Sequence, residues 1–280
     1  MISIEHVYKN FGRKQILKDI TCELDTGIYG LLGANGAGKT TLMRCLTNLY
    51  AINRGKILIN GVSSKRGGKT RIGYLPQFFG LYRELTVWDS MSYFCNLKRV
   101  KRSQIPETIH SCLEAVNMSG HEKTTGRKLS GGMIRRVGIA QALIDKPELI
   151  LFDEPTAGLD PEERMNFKNI VSHLGKKETV IISTHIVEDI EACCDFVIIM
   201  KEGRLLGVLS CRELADKAKG KVYACKKGEE NTLGDSCFIE KQYEQEGEVF
   251  YRVLTNNSHE GMTPLPPNME DGYMCMIKGI

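Results

Sequence analysis

Polar and apolar residues alternate along Ser3–Val7, and the same two-residue period returns over Gln15–Leu17 and Ile20–Leu24. That period suits short antiparallel strands with one face in water. Later runs differ. Leu149–Phe152 and Val180–Ser183 are almost continuously apolar, as central strands of a parallel sheet buried on both faces must be. Between such runs, Leu42, Cys45, Leu46 and Leu49, and later Phe167, Ile170, Val171 and Leu174, recur at helical spacing. Alternating buried strands and amphipathic helices predict an α/β core. Residues 78 to 128 interrupt it with helical patterning over Val87–Leu97 and Ile105–Val116 and no central-strand run, so they read as a helical insertion. After Leu206 the pattern thins to short alternating pieces, Val222–Cys225 and Val249–Leu254. Nothing is of low complexity beyond a turn at Arg66–Lys69.

With 280 residues and 42% apolar content, the chain is expected to form one large domain, or one domain with a small appendage, and not a disordered polymer. No apolar run approaches the roughly 18 residues that span a bilayer, which excludes a membrane-embedded body. The opening Met1–Glu5 has no basic flank followed by an apolar stretch, so no secretory leader is expected and the chain is placed in the cytoplasm. Ten scattered cysteines contain no C-x-x-C pair; adjacent Cys193 and Cys194 fall in a helical pattern and are read as reduced, and no structural zinc is expected. The net charge of +4 is mild. It is also uneven, because residues 207 to 280 carry 9 basic against 12 acidic side chains, which marks a boundary near Leu206.

The strongest chemical signal is Gly33-Ala34-Asn35-Gly36-Ala37-Gly38-Lys39-Thr40, a G-x-x-x-x-G-K-[ST] sequence between the apolar Ile28–Leu32 and a helix from Thr41. Its glycines let successive N–H groups turn inward around phosphate oxygens, and the helix N-terminus adds its positive dipole end. Lys39 is placed to meet the β- and γ-phosphates, and Thr40 to ligate Mg²⁺. A glycine-rich turn that merely precedes a helix has no need of Lys and Thr at these positions. A nucleoside triphosphate site also needs an acidic group at the end of a neighbouring buried strand, and Asp153 ends Leu149–Phe152 in that way. Glu154, at the same strand tip, is placed to polarise a water attacking the γ-phosphate.

A further phosphate site is marked by Leu129-Ser130-Gly131-Gly132-Met133, where Ser130 and the amides of Gly131 and Gly132 open a helix. Together with the phosphate loop, Asp153 and Glu154, this sequence resembles the signature of the ATP-binding-cassette (ABC) ATPases. The resemblance covers residues 1 to 206, with six motifs in order. It implies an α/β P-loop NTPase fold of ABC type: a domain over 1–206 with an antiparallel β subdomain, a helical subdomain at 78–128, and a small C-terminal accessory region at 207–280. It implies ATP and Mg²⁺ as ligands, contacted by Gly33, Asn35, Gly36, Ala37, Gly38, Lys39, Thr40 and Thr41. Gln77 matches the family's glutamine that touches Mg²⁺ and the attacking water, and His185 the histidine that reaches the γ-phosphate. Asp160 matches a motif beside the nucleotide, and also reads as an N-cap, with Pro161 at N1 and Glu163 closing a capping box. Phe11 matches the aromatic that stacks on adenine, and Tyr8 competes for that role.

In this family the signature of one subunit faces the phosphate loop of another, so two ATP molecules are sandwiched between two chains. The residues agree, since each motif occurs once and no residue inside a single site supplies the extra positive charge that phosphoryl transfer needs. A second ABC subunit, in a homodimer, is therefore expected. Transport is favoured over a soluble ABC ATPase acting on nucleic acid or ribosomes. Only 51 residues separate Gln77 from Leu129, there is one cassette, and Phe78-Phe79-Gly80-Leu81-Tyr82 and Trp88 stand where the family docks a membrane subunit. The mild charge also argues against nucleic acid. The signature followed by Arg135-Arg136, the run Ala157–Pro161 and the tail Pro266–Tyr273 resemble drug, lantibiotic and bacitracin-type exporters. Separate transmembrane permease subunits and a position on the cytoplasmic face of the membrane follow from that resemblance.

Overall fold

A computed structural model describes residues 1–63, 70–228, 237–257 and 261–280, so the turn expected at Arg66–Lys69 lies outside the described residues. Two compact units emerge, Met1–Leu205 and Leu206–Ile280. The first runs in chain order through β1 (Ile2–Phe11), β2 (Lys14–Leu24), β3 (Gly27–Leu32), α1 (Lys39–Leu46), β4 (Arg54–Ile59), β5 (Val62–Ser63) and β6 (Ile72–Leu75). It continues through α2 (Val87–Leu97), α3 (Ile105–Glu114), α4 (Gly131–Leu143), β7 (Leu149–Asp153), α5 (Pro161–Val171), β8 (Thr179–Thr184), α6 (Val187–Glu191) and β9 (Phe196–Lys201), and β10 (Arg204–Ser210) leads the chain onward.

Two sheets organise this unit. The first is antiparallel, in the order β2-β1-β4-β5, and buries Ile2, Ile4 and Val7 on the face away from water. In the second, β9-β3-β8-β7-β6 run parallel, and every residue of β3, β7 and β8 is buried. The apolar runs in the sequence are these strands. Their carboxyl ends lie level, with Asp153 paired to Ser183 and Leu32 to Thr184. In an open parallel sheet the loops leaving those ends form the ligand crevice, and here they carry residues 33–39, Gln77, Asp153–Glu154 and His185.

Thr86 and Asp89 form a reciprocal capping box that starts α2, and Val87, Met91, Cys95, Ile109 and Leu113 share one core with Val137 and Ala140 of α4. Phe79, Leu81 and Trp88 lean on that core, while Phe78 is 88% exposed and Tyr82 69%.

Several local expectations are corrected. The two short strands expected over 15–24 are one strand, β2; its expected break is a bulge at Asp19, whose φ of 58° shifts the register without ending the pairing. Helix α1 ends at Leu46 because Asn48 turns left-handed, which leaves Leu49 exposed and outside the apolar stripe. Helix α5 stops at Val171, ahead of Leu174, which still packs on the core. Cys193 and Cys194 follow α6 in a turn and are not helical.

The second unit contains α7 (Cys211–Asp216), β11 (Val222–Lys226), β12 (Phe238–Gln245), β13 (Glu248–Leu254), β14 (Thr263–Pro264) and α8 (Met269–Lys278). Its sheet is antiparallel in the order β12-β13-β11-β14, so both alternating pieces noted after Leu206 are strands. Ala218, Val222, Leu254 and Cys275 form its core. Among the described residues of the whole chain, no helix is long and apolar enough to cross a membrane.

Candidate functional site

The loop between β3 and α1 closes into a cradle because Gly36 and Gly38 take φ of 84° and 105°, a region that glycine enters without steric cost. A Cβ on Gly36 would meet open space, so a larger residue there is opposed by backbone conformation alone. Lys39 is 6% exposed, and its Nζ donates to the carbonyl of Gly33 at 2.6 Å and approaches Glu154 Oε1 at 3.6 Å. Burial lowers the Lys39 pKa, and the nearby carboxylate of Glu154 opposes that fall. A cleft of about 470 Å³ opens over the loop, lined by Asn35, Gly36, Ala37, Gly38, Lys39, Thr40, Thr41, Gln77 and Glu154. Lys14 and Ile16 of β2 form its rim.

Asp153 ends β7 at 0% exposure and is held by three donors. Ser183 Oγ donates to Oδ1 at 2.6 Å, Thr40 Oγ1 to the same oxygen at 3.1 Å, and Tyr74 OH to Oδ2 at 3.4 Å. The Thr40 hydroxyl and the Asp153 carboxylate are thus adjacent hard oxygen donors, the set that Mg²⁺ takes with phosphate oxygens and water. Glu154 follows in a left-handed conformation, φ 47°, which a non-glycine residue keeps only when its surroundings enforce it. Its N–H donates to the backbone carbonyl of Ser183 at 3.1 Å and is 3.0 Å from Ser183 Oγ. Its carboxylate accepts from His185 Nδ1 at 3.1 Å, so the side chain points into the cleft between a lysine and a histidine.

Other candidates lie apart. Ser130 N-caps α4, its Oγ accepting from Met133 N at 3.1 Å, and both Ser130 and Gly131 are exposed and do not line the cleft. Asp160 N-caps α5 by accepting from Glu163 N at 2.8 Å, with Pro161 at N1. The expected capping box does not close, because the Glu163 carboxylate turns to Arg136 at 3.2 Å and covers Gly132. Phe11 ends β1, 45% exposed, edge-on to Tyr50 at 5.1 Å with Lys9 Nζ over its ring. The Tyr8 ring is faced by the Arg54 guanidinium at 5.3 Å.

Three contributors escaped the sequence reading. Ser183, a fully buried hydroxyl directly after the apolar Val180–Ile182, was the one with a visible signal. Arg135 reaches back from α4 to the carbonyls around Gln77 and Glu154, which only the fold reveals. Lys14 is an exposed lysine that lines the same cleft.

A buried lysine in a G-x-x-x-x-G-K-T loop, beside a fully buried carboxylate and a second carboxylate aimed at the same cleft, defines a P-loop ATPase. The family model described as ABC transporter matches residues 17–157, and the chain belongs to that family as an ATP-binding subunit. It is 34% identical over 224 residues to the methionine import ATP-binding protein MetN of Clostridioides difficile, covering 76% of this chain and 70% of that protein. It is 30% identical over 293 residues to the Nod factor export ATP-binding protein I of Rhizobium meliloti, covering 98% and 87%. Among solved structures, an ATP-binding subunit of an ABC transporter superposes with a TM-score of 0.68 at 25% identity, over 76% of this chain and 91% of that one. The protein is an ATPase that uses ATP with Mg²⁺ and has the fold of ABC cassettes. Subunits of this family dimerise and work with transmembrane permeases.

Proposed function

We propose that two copies of this chain close over two molecules of MgATP and thereby drive a separate transmembrane exporter from the cytoplasmic face of the membrane. The observation that carries this reading is the division of the site: Lys39, Thr40, Gln77 and Glu154 share one cleft, whereas Ser130 and Gly131 stand exposed outside it. An exposed helix start with free N–H groups is the part a facing copy needs.

In this reading residues 1–206 are the ATPase domain, 78–128 its permease-docking subdomain, and 207–280 an accessory region. Backbone N–H groups of residues 33–41 and the Lys39 ammonium hold the phosphates. Thr40, Gln77 and Asp153 would hold Mg²⁺, which when bound would supply positive charge against the phosphates. Glu154 accepts the proton of the attacking water, and His185 fixes its carboxylate and reaches the γ-phosphate. The partner's signature residues complete the anion site, Asp160 borders it, and Phe11 stacks on adenine. Phe78 and Tyr82, exposed on the insertion, are the apolar contact for the permease. Closure and reopening shift the permease between its states. Export is favoured because the likeness to the Nod factor export subunit continues through the second unit, while that to MetN covers 76% of the chain. No nucleic acid takes part.

The deciding experiment is Glu154→Gln in the full chain. With MgATP it is expected to sediment as a dimer that hydrolyses at least roughly 100-fold more slowly than wild type. Normal turnover, or a monomer under saturating ATP, would overturn the assignment.

A further inference from the structure

We propose that Arg135 is a positioning residue of the catalytic centre, whose guanidinium locks the Gln77 loop and the Glu154 backbone into one rigid unit moved by the signature helix. This inference rests on the ATPase reading above and deepens it.

Arg135 sits in the second turn of α4, five residues after Ser130. Its Nε donates to Pro155 O at 2.8 Å, and its Nη1 to Gln77 O at 3.0 Å and Pro76 O at 3.4 Å. Nη2 donates to the carbonyls of Glu154 and, at 3.4 Å, Asp153. Among the described residues no carboxylate forms an ion pair with it. The fork is therefore satisfied by backbone carbonyls from two loops that leave adjacent strands, β6 and β7. A planar guanidinium fixes the angle between its acceptors, which the point charge of an ammonium cannot do.

The consequence is mechanical and electrostatic. Glu154 holds a left-handed φ of 47°, and two constraints enforce it: Ser183 on the N–H side and Arg135 on the carbonyl side. Gln77 is fixed through its own carbonyl, which leaves its side chain free at the cleft. Any rotation of α4 thus moves both catalytic loops together, linking the helix that faces a partner copy to the general base. Burial in this spot lowers the Arg135 pKa, and Asp153 and Glu154 counter that fall, so the cation persists.

The test uses the full chain as wild type, Arg135→Ala and Arg135→Lys, with steady-state ATP hydrolysis, binding of a fluorescent ATP analogue, and amide hydrogen exchange. For Arg135→Ala, kcat is expected to fall roughly 100-fold with KM and analogue affinity unchanged within about twofold. Exchange is expected to quicken at 77–79 and at 154, 156 and 157 and nowhere else. Arg135→Lys, which keeps the charge, is expected to show the same local exchange and an intermediate kcat. Wild-type exchange and turnover in either variant overturn the proposal, as does faster exchange throughout α4 and the sheet, which marks a merely structural role. Exchange is read without hydrolysis, so it judges Arg135 separately, while failure of wild type to hydrolyse ATP strikes the underlying reading.

Discussion

Glu240, in the second unit, is expected to make stability fall as pH rises through neutrality, and the geometry sets the size of the effect. It is the extra residue of a bulge in β12, since Ile239 pairs with Val253 and Lys241 with Arg252. The bulge aims its side chain inward, where it is 4% exposed. The cation there among the described residues is already engaged: Arg252 donates to both oxygens of the fully buried Asp271, at 2.7 and 2.6 Å. Asn268 N adds a third bond to Asp271 at 2.6 Å. Among the described residues Glu240 is left with Arg252 Nε at 3.3 Å and no hydrogen-bond donor to either oxygen, so its proton is what it can share with Asp271. Burial first, and then the neighbouring Asp271, raise its pKa to about 8, while Asp271 is lowered by the bonds it receives.

The folded unit therefore keeps a proton on Glu240 that the unfolded chain releases above about pH 4.5. The stabilisation is complete below that pH and is lost as pH rises through about 8, at about 1.4 kcal/mol per pH unit. Between about pH 5 and about pH 8 the second unit should lose on the order of 4 kcal/mol. Asp271 is ionised in both states across this window and adds no slope. Glu270, the other facing acid, pairs at the surface with Lys241 at 3.7 Å. The assay is a urea titration followed by pulsed alkylation of Cys275, 3% exposed in the fold, read by mass after digestion. Wild type should show a midpoint that falls with pH, and Glu240→Gln a flat one. Parallel slopes in the two chains would refute the argument, because every other titrating group is common to both.

Three further outcomes follow from the first unit. Gly73→Ala places a Cβ 2.1 Å from Ala142 O of α4, so the chain should lose about 2 kcal/mol in thermal or urea unfolding; an unchanged midpoint would mean that β6 and α4 are free to separate. Ser183→Ala removes the shortest bond to Asp153 and should lower kcat about tenfold with the fold retained by circular dichroism, and undiminished turnover would deny Ser183 its part. Ser130→Arg should abolish hydrolysis yet leave binding of a fluorescent ATP analogue intact, because Ser130 lies outside its own chain's cleft; retained hydrolysis would refute the facing arrangement.

The legibility of this chain depends on where its information is stored. The phosphate loop is local, so Gly36, Gly38, Lys39 and Thr40 could be read as a site before any fold was known. Strands buried on both faces are equally local, which is why β7 and β8 stood out as apolar runs. Helix ends were less legible: the apolar stripe of α1 ran on to Leu49, but Asn48 turned the chain first. The Glu163 carboxylate had the spacing of a capping box and found Arg136 on another helix, a tertiary contact that local spacing cannot weigh. Arg135 is the clearest case. Its acceptors are 18 to 20 residues ahead and 58 to 59 residues behind in the chain, and nothing in its own neighbourhood announces them.

The charge arithmetic of the cleft also bears on why one chain should not suffice. Lys14 is a second cation beside Lys39, but it sits exposed on the β2 rim, where water screens it. Lys39 is buried and already faces Glu154 at 3.6 Å, so part of its charge answers a carboxylate. Phosphoryl transfer spreads negative charge over the outer γ-oxygens, on the side of the cleft that opens away from the loop. In the proposed dimer further donors for that side come from the facing copy, whose helix start at Ser130–Gly132 brings N–H groups and the positive dipole end without a further side-chain charge. Covering the cleft also excludes water, which strengthens the interactions of Lys39 and of the facing amides. In the proposed dimer closure and catalysis are then one event, and the energy of closing would reach a membrane partner only while both nucleotides are bound.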